Sequence, residues 1–303
     1  MFNIEDIRQR DSVLSMLRAL QKQNKVLLNA KDYSPRINNS KKQHKSIKGF
    51  LLNQYSQFMI KIMVKSNIVN NEQETEYADE EFFSDKKIAV YTSIFGNYEQ
   101  IIEPEIKPDN VDYYIITDCS VKPNSRWKKI DFDFPSGLNA SQKNRYVKMH
   151  PHLLFPEYRY SIYVDGSAYI LSDLTPLIHR INKYGFAMHM HSARNDLYDE
   201  MLVAKYTKRI SSHCYNDYLE FLKNENMPRH FGLVECGIIA RDHENLLCKK
   251  IMEEWWNQYL TRINRDQICL AYVLYKNNIA PKDIGTLGLN IFKSALYKFV
   301  GHK

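Results

Sequence analysis

Tyr160-Ser161-Ile162-Tyr163-Val164-Asp165-Gly166-Ser167 is the stretch whose reading decides the fold. Its first residues are aromatic and β-branched, so they suit a strand, and that strand ends in an acid followed by glycine. Upstream, the apolar run Lys87–Ile94 reads as a buried strand broken by Gly96-Asn97-Tyr98. Val111–Asp118 is a second strand, again ending in an acid, and Ala140–Met149 reads as a helix. Downstream, Phe186–Met190 and Cys236–Ala240 are further apolar runs, while Glu244–Tyr259 and Arg265–Tyr275 read as helices. This alternation predicts an α/β domain with a mixed, largely parallel sheet flanked by helices. In such sheets ligands bind beyond the carboxyl ends of the strands. Asp118 and Asp165 stand at two of those ends.

The segments before this domain read differently. Val13, Leu14, Leu17, Leu20, Leu27 and Leu28 share a helical face, and Leu51–Met63 repeats its apolar residues at helical spacing. A Lys/Asn/Ser-rich linker with Pro35 separates them. Residues 1–65 carry 13 Lys/Arg against 4 Asp/Glu, so this part holds the whole basic excess of a chain whose net charge is +7. Between Asn67 and Asp85 there are acids but no Lys or Arg. The expected organisation is a helical appendage with a basic linker over residues 1–70, an acidic linker over 71–86 and the α/β domain over 87–303. A basic amphipathic appendage suits a peripheral contact with a membrane surface or self-association, and a solvated helix face reads the same way.

Composition narrows the class. At 303 residues, 44% hydrophobic and 25% charged, the chain can bury a core without disulfides and is not a disordered or collagen-like protein. Cys119, Cys214, Cys236, Cys248 and Cys269 are odd in number with no CxxC pair, which suits a reducing compartment. Met1–Asp6 is polar and acidic, unlike a secretory leader, and no apolar run reaches the ~18 residues of a membrane span. The expected location is the cytoplasm, peripheral at the inner face of the membrane. There is no P-loop, no GxGxxG after the first strand and no GxSxG. Helix-turn-helix, zinc-finger and RNP signatures are missing too, so no nucleic-acid partner is expected.

Several residue groups could carry chemistry. Asp165-Gly166-Ser167 places a carboxylate and a hydroxyl at a strand's open end, where a divalent cation, Mn²⁺ or Mg²⁺, could share them with substrate phosphates. A plain turn with Asp165 as a helix cap reads equally well. Lys143, Arg145, Lys148, His150 and His152 cluster before the third strand, and Arg145 and Lys148 would share a helix face suited to a diphosphate. His189 and His191 would share a strand face, with Arg194 following. Of Asp196, Asp199 and Glu200, at least one is expected to be only a solvated charge. Asp266 opens a helix beside Gln267, as a cap or as a carboxylate aimed at a sugar carbon.

Arg145–His152, Leu154–Tyr158 and Tyr160–Ser167, followed in order by His191–Arg194, Tyr198–Glu200, Met227-Pro228, Gly232-Leu233, Glu235, Arg241, Trp255-Trp256 and Arg265-Asp266-Gln267, carry a resemblance. The chain resembles a glycosyltransferase-like family of plants and bacteria formerly known as a domain of unknown function. The resemblance covers about Lys87 to Tyr275. It implies a GT-A-like fold, and its plant members are linked to retaining galacturonosyl transfer from a UDP-sugar onto pectic polymers. Transferases of this type usually carry Asp-x-Asp where this chain has Asp-Gly-Ser, and Tyr163 stands where Trp is expected. What the resemblance implies is a hexosyl- or uronosyltransferase that builds capsule, lipopolysaccharide or another cell-surface glycan from a nucleotide-sugar donor and a glycan acceptor. It makes Asp165 the metal-side acid and a catalytic residue with Asp266, His191 and Arg194. It puts Thr92, Asp118, Arg145, Lys148, Gly166, Ser167 and Gln267 in the donor pocket. The alternatives are a binding or scaffold protein on a degenerate GT-A fold, and a hydrolase, either ceramidase-like or a glycosidase with Asp165 and Asp266 across the bond.

Overall fold

The computed structural model describes residues 87–300. The appendage and acidic linker expected over residues 1–86 lie outside the described residues.

Seven strands form one sheet in the order β3-β2-β1-β4-β7-β6-β8. They are β1 (Ile88–Ile94), β2 (Val111–Thr117), β3 (Lys128–Lys129), β4 (Tyr160–Val164), β6 (Phe186–Met190), β7 (Val234–Asp242) and β8 (Gly285–Thr286). β5 (Ala168–Ile170) and β9 (Tyr297–Phe299) pair separately. Every pairing in the large sheet is parallel except the two made by β7, so the sheet is mixed and mostly parallel, as expected.

β1 is buried along its whole length because both faces are packed. Ala89 and Tyr91 enter one core with α1 (Ala140–Met149), α5 (Leu246–Thr261) and α6 (Asp266–Lys276). Ile88 and Val90 enter a second core with Leu177, Ile178 and Tyr297. This two-sided burial is why β1 reads as a continuous apolar run rather than an alternating one. α2 (Pro151–Leu154) follows α1 directly, and α3 (Leu197–Tyr206) and α4 (Ser212–Asn224) fill the segment between β6 and β7.

The predicted helix over Ala140–Met149 is present with those bounds, begun by a capping box in which Asn139 and Gln142 serve each other's backbone N–H. α5 starts two residues later than its apolar pattern suggests, because Asn245 caps it by accepting from the Cys248 N–H. The five cysteines are unpaired. Among the described residues no helix is long and apolar enough to cross a membrane.

Candidate active site

Because β7 runs against its neighbours, its amino end meets the carboxyl ends of β1, β2, β4 and β6 at one edge of the sheet. That edge gathers Asp118 after β2, Asp165 after β4, His191 after β6 and Glu235 at the start of β7. Gln267 ties α6 above it. Its side-chain amide donates to the Val234 carbonyl at 2.9 Å and to Glu235 Oε2 at 3.2 Å.

Asp165 closes a turn, since its carbonyl accepts from the Ala168 N–H at 2.8 Å, and β5 follows. It is therefore not a helix cap. Its half-buried carboxylate has no hydrogen-bond or ion-pair partner among the described residues. Gly166 is required by close approach: a Cβ there would stand 2.0 Å from Glu99 Oε2 and 2.9 Å from Ile94 Cγ1. The buried Glu99 carboxylate thus lies over the same turn as Asp165. Sequence reading does not single out Glu99, although an acid directly after the Gly96-Asn97-Tyr98 break is the signal available. Thr92, Ile94, Trp127, Val164 and Gly166 line a hollow of about 10 Å³, room for a single water, and the buried Thr92 hydroxyl has no hydrogen-bond partner. Asp118 accepts from the Gly96 N–H with both oxygens, at 2.9 and 3.1 Å, and so fixes the loop after β1. Ser167 is buried, and its carbonyl accepts from the Val300 N–H at 2.9 Å.

Asp266 is held very differently. Lys148 Nζ lies 2.7 Å and Arg145 Nε 3.0 Å from its Oδ2. Its Oδ1 accepts from the Gln267 N–H at 3.1 Å, and its carbonyl accepts from the Trp255 indole at 2.7 Å. Arg145 and Lys148 share one face of α1, as their spacing requires. The Lys148 side chain is only 1% exposed, so its charge meets Asp266 and the Tyr163 ring, 5.0 Å away, rather than solvent. Burial alone would raise the Asp266 carboxyl, but the Arg145 and Lys148 charges outweigh it and hold it well below the carboxylate range. Asp266 is therefore ionised. Arg145, whose guanidinium burial would lower, is instead held above its ordinary range by Asp266, with Tyr163 and Asp165 adding to it. Arg145 is the electrostatic link between the two acids. Asn144 holds it in place by accepting from Arg145 Nη1 while donating to the Ser93 carbonyl of β1 at 2.7 Å.

His191 and Arg194 belong to a third group. His191 Nδ1 accepts from the backbone N–H groups of Ala193 and Arg194, at 3.0 and 3.1 Å, and Nε2 lies 3.1 Å from Arg194 Nη2. Nε2 faces Glu200 Oε2 at 3.5 Å. Arg194 donates to that oxygen through Nε at 2.7 Å. Burial would raise the Glu200 carboxyl, but Arg194 and His191 hold it well below its ordinary range. Glu235 Oε1 is 3.8 Å from His191 Nδ1.

Two expectations are corrected here. His189 and His191 do not share a role, because β6 ends at Met190 between them and His189 Nε2 meets the Tyr297 hydroxyl inside the core. None of Asp196, Asp199 and Glu200 is a solvated charge. Asp196 caps α3, Asp199 pairs with Arg229 at 3.0 Å, and Glu200 holds Arg194.

Among the described residues no group of three or more His, Cys, Asp or Glu side chains is arranged to hold a metal ion. The unpartnered Asp165 carboxylate, with Glu99 over the adjoining glycine, still fits a hard cation that takes its other ligands from phosphate oxygens and water.

The sequence model of the family described as TOD1/MUCI70, glycosyltransferase-like domain, matches residues 126–302. Among solved structures, the chain is similar to the apo form of the bifunctional glycosyltransferase WbbM, with 13% identity, a TM-score of 0.44 and coverage of 78% of this chain and 46% of that one. It is also similar to the apo form of the glycosyltransferase GlyE from Streptococcus pneumoniae TIGR4, with 10% identity, a TM-score of 0.37 and coverage of 67% and 45%. The chain thus spans about half the length of the solved structures it matches. No curated protein sequence matches it significantly.

Proposed function

The chain belongs to the TOD1/MUCI70 glycosyltransferase-like family, and from that premise we propose that it transfers a sugar from a UDP-type nucleotide-sugar donor to a cell-surface glycan, with retention of configuration. The mixed, mostly parallel sheet flanked by helices suits the GT-A-like fold that the family resemblance implies. The observation that carries the reading is the half-buried Asp165 carboxylate at the carboxyl end of β4, without a hydrogen-bond or ion-pair partner among the described residues.

In this reading the nucleoside lies over the ends of β1 and β2, where Thr92 offers an unpaired hydroxyl and Asp118 shapes the loop. The diphosphate lies at Asp165. A divalent cation, Mn²⁺ or Mg²⁺, held by Asp165 with Glu99 nearby would supply charge neutralisation of the leaving diphosphate. Arg145 adds a fixed positive charge between that position and Asp266. The donor sugar then points at Asp266, whose ionised carboxylate is preorganised by Lys148 and the Gln267 N–H to stabilise positive charge at the reacting carbon. His191 and Arg194 border the acceptor side.

The test is a thermal-shift and turnover screen with UDP-, GDP-, CMP- and dTDP-sugars, each with and without Mn²⁺ or Mg²⁺, on the native chain and on Asp165→Ala. Stabilisation by UDP-sugars that the variant loses supports the reading. No shift with any nucleotide sinks it and favours a scaffold protein on the same fold. For residues 1–70 the proposal is an accessory for self-association or membrane-surface contact. Deleting the residues before Asn67 with no change in oligomeric state or liposome binding would refute that part.

A further inference from the structure

Arg241 lies on β7, paired in register with Ser161 of β4 and Phe186 of β6. It is fully buried, and no ion pair joins it to an acid among the described residues. Its Nε and Nη2 have no hydrogen-bond partner. A guanidinium cannot shed its proton, so enclosing one without an acid is costly. The contact it does make is with the Tyr91 hydroxyl, to which Nη1 donates.

Tyr91 passes that contact on. Burial pushes its hydroxyl up to about 12, against the pull of Arg241, so it is a neutral phenol. Its oxygen accepts from Arg241, which leaves its one proton for the Lys148 carbonyl, 3.2 Å away. That carbonyl belongs to the last turn of α1, where helix carbonyls lack partners from within the helix. Three residues on stands Pro151, which has no N–H to give. The negative end of the helix thus meets a buried cation through one hydroxyl.

The Tyr91 ring acts on the same lysine. It packs edge-on against Tyr163, with centroids 5.4 Å apart, and Lys148 Nζ lies 5.0 Å over the Tyr163 ring. Tyr91 therefore fixes Lys148 at both ends, the carbonyl by a hydrogen bond and the ammonium through Tyr163. A second tie stands further along α1. Ser93 Oγ donates to the Asn144 carbonyl at 3.3 Å, and Asn144 returns a bond to the Ser93 carbonyl. Two strand residues span ~6.6 Å and four helix residues ~6 Å, so the two ties keep β1 and α1 in step. Arg145 and Lys148 leave this stretch of α1, and both reach Asp266 Oδ2.

We infer that Arg241 is a positioning residue for Asp266: through the Tyr91 hydroxyl it holds the last turn of α1 and so keeps Lys148 on the Asp266 carboxylate. What this does for turnover rests on the transferase reading above, in which Asp266 faces the reacting carbon while the donor is held at Asp165. Loosening Lys148 changes the charge presented at that carbon and leaves donor binding alone, so it lowers kcat and spares KM.

The test follows the Lys148 ammonium by heteronuclear NMR in the full chain, with Lys148→Arg to assign it. An enclosed, paired ammonium exchanges its protons slowly, so the native chain is expected to give a resolved signal. Tyr91→Phe and Arg241→Gln are expected to shift it or broaden it away. Arg241→Lys, which restores a cation and a donor for the hydroxyl, is expected to recover it. Phe155→Leu disturbs packing on the Tyr91 ring, 5.1 Å away, but spares the hydroxyl, and is expected to keep it. A signal unchanged in both Tyr91→Phe and Arg241→Gln would overturn the inference, and so would one lost equally in Phe155→Leu. Tyr91→Phe removes one oxygen and keeps the ring, so it decides the matter even where Arg241→Gln does not fold. Release of UDP from UDP-glucose, UDP-galactose and UDP-glucuronate with Mn²⁺ is the second readout. Tyr91→Phe is expected to lower kcat about tenfold, the scale of one hydrogen bond, with KM unchanged. A raised KM at unchanged kcat would overturn the role at Asp266. A native chain that shows the NMR coupling and releases no UDP would refute the transferase reading and leave the positioning chain standing.

Discussion

Asp165 and Asp266 stand at the same edge of the sheet, and the molecule treats them in opposite ways. Asp165 leaves β4 with a carboxylate that no described neighbour hydrogen-bonds or pairs with, and only the field of Arg145 reaches it. Asp266 opens α6 with a carboxylate neutralised twice, by Lys148 at 2.7 Å and Arg145 at 3.0 Å. An unpaired, half-buried acid at an open end is available to a ligand. A paired, buried one is a fixed part of the wall, whose charge orients whatever lies against it. The difference comes from the elements that deliver them. Asp165 is followed by a turn into β5, whereas α5, packed against both α6 and α1, brings Asp266 onto two cations of α1.

This contrast can be broken most sharply at Asp266. Asp266→Ala leaves the enclosed Lys148 ammonium without its partner, and removing one member of a buried pair costs about 3–5 kcal/mol. Urea unfolding should show that loss. A loss under about 0.5 kcal/mol, the scale of an ordinary surface change, would mean that the pair is not structural. Gly166→Ala comes next. Its Cβ would meet Glu99 Oε2 at 2.0 Å and Ile94 Cγ1 at 2.9 Å. Overpacking of this kind costs about 1–3 kcal/mol. The same substitution should weaken nucleotide binding, because Glu99 must swing across the turn that holds Asp165. An unchanged melting temperature and unchanged UDP binding would show that the glycine is incidental.

Acid titration sharpens the same comparison at smaller scale. Asp266 and Glu200 are both held well below the carboxylate range in the folded chain. The unfolded chain therefore takes up protons first as pH falls below about 4, where a free carboxyl titrates. The contribution of these acids is fully present above that pH and declines as pH falls toward their folded values. Each acid adds a slope of up to about 1.4 kcal/mol per pH unit there. Asp266→Asn should flatten the pH dependence of stability below pH 4, and an unaltered slope would contradict the pairing.

Much of the frame is legible in the residues, for a physical reason. β1 and β6 are buried on both faces and read as apolar runs, and the α1 pattern shows its full length between a capping box and His150. β3 and β8 are two residues each, with Lys128-Lys129 exposed, so no periodicity marks them. The aligned acids after β2 and β4 follow from strand ends alone. The meeting of Lys148 with Asp266 does not, because 118 residues separate them and only tertiary packing closes the distance. For the same reason the separate fates of His189 and His191 rest on where β6 ends and on a contact with Tyr297, 108 residues away, that spacing does not announce. Glu99 is hidden differently: its approach to Asp165 depends on how the loop after β1 folds over Gly166.

The most direct test of the account pairs the two acids in one measurement. Melting temperatures of Asp165→Asn and Asp266→Asn are recorded with and without a UDP-sugar and Mn²⁺. The account predicts that Asp165→Asn melts like the native chain, within about 0.5 kcal/mol of its stability, and no longer responds to the nucleotide. Asp266→Asn is predicted to melt well below it. An Asp165→Asn chain that keeps the full nucleotide-induced shift would contradict the claim that this unpaired carboxylate is where the donor is held.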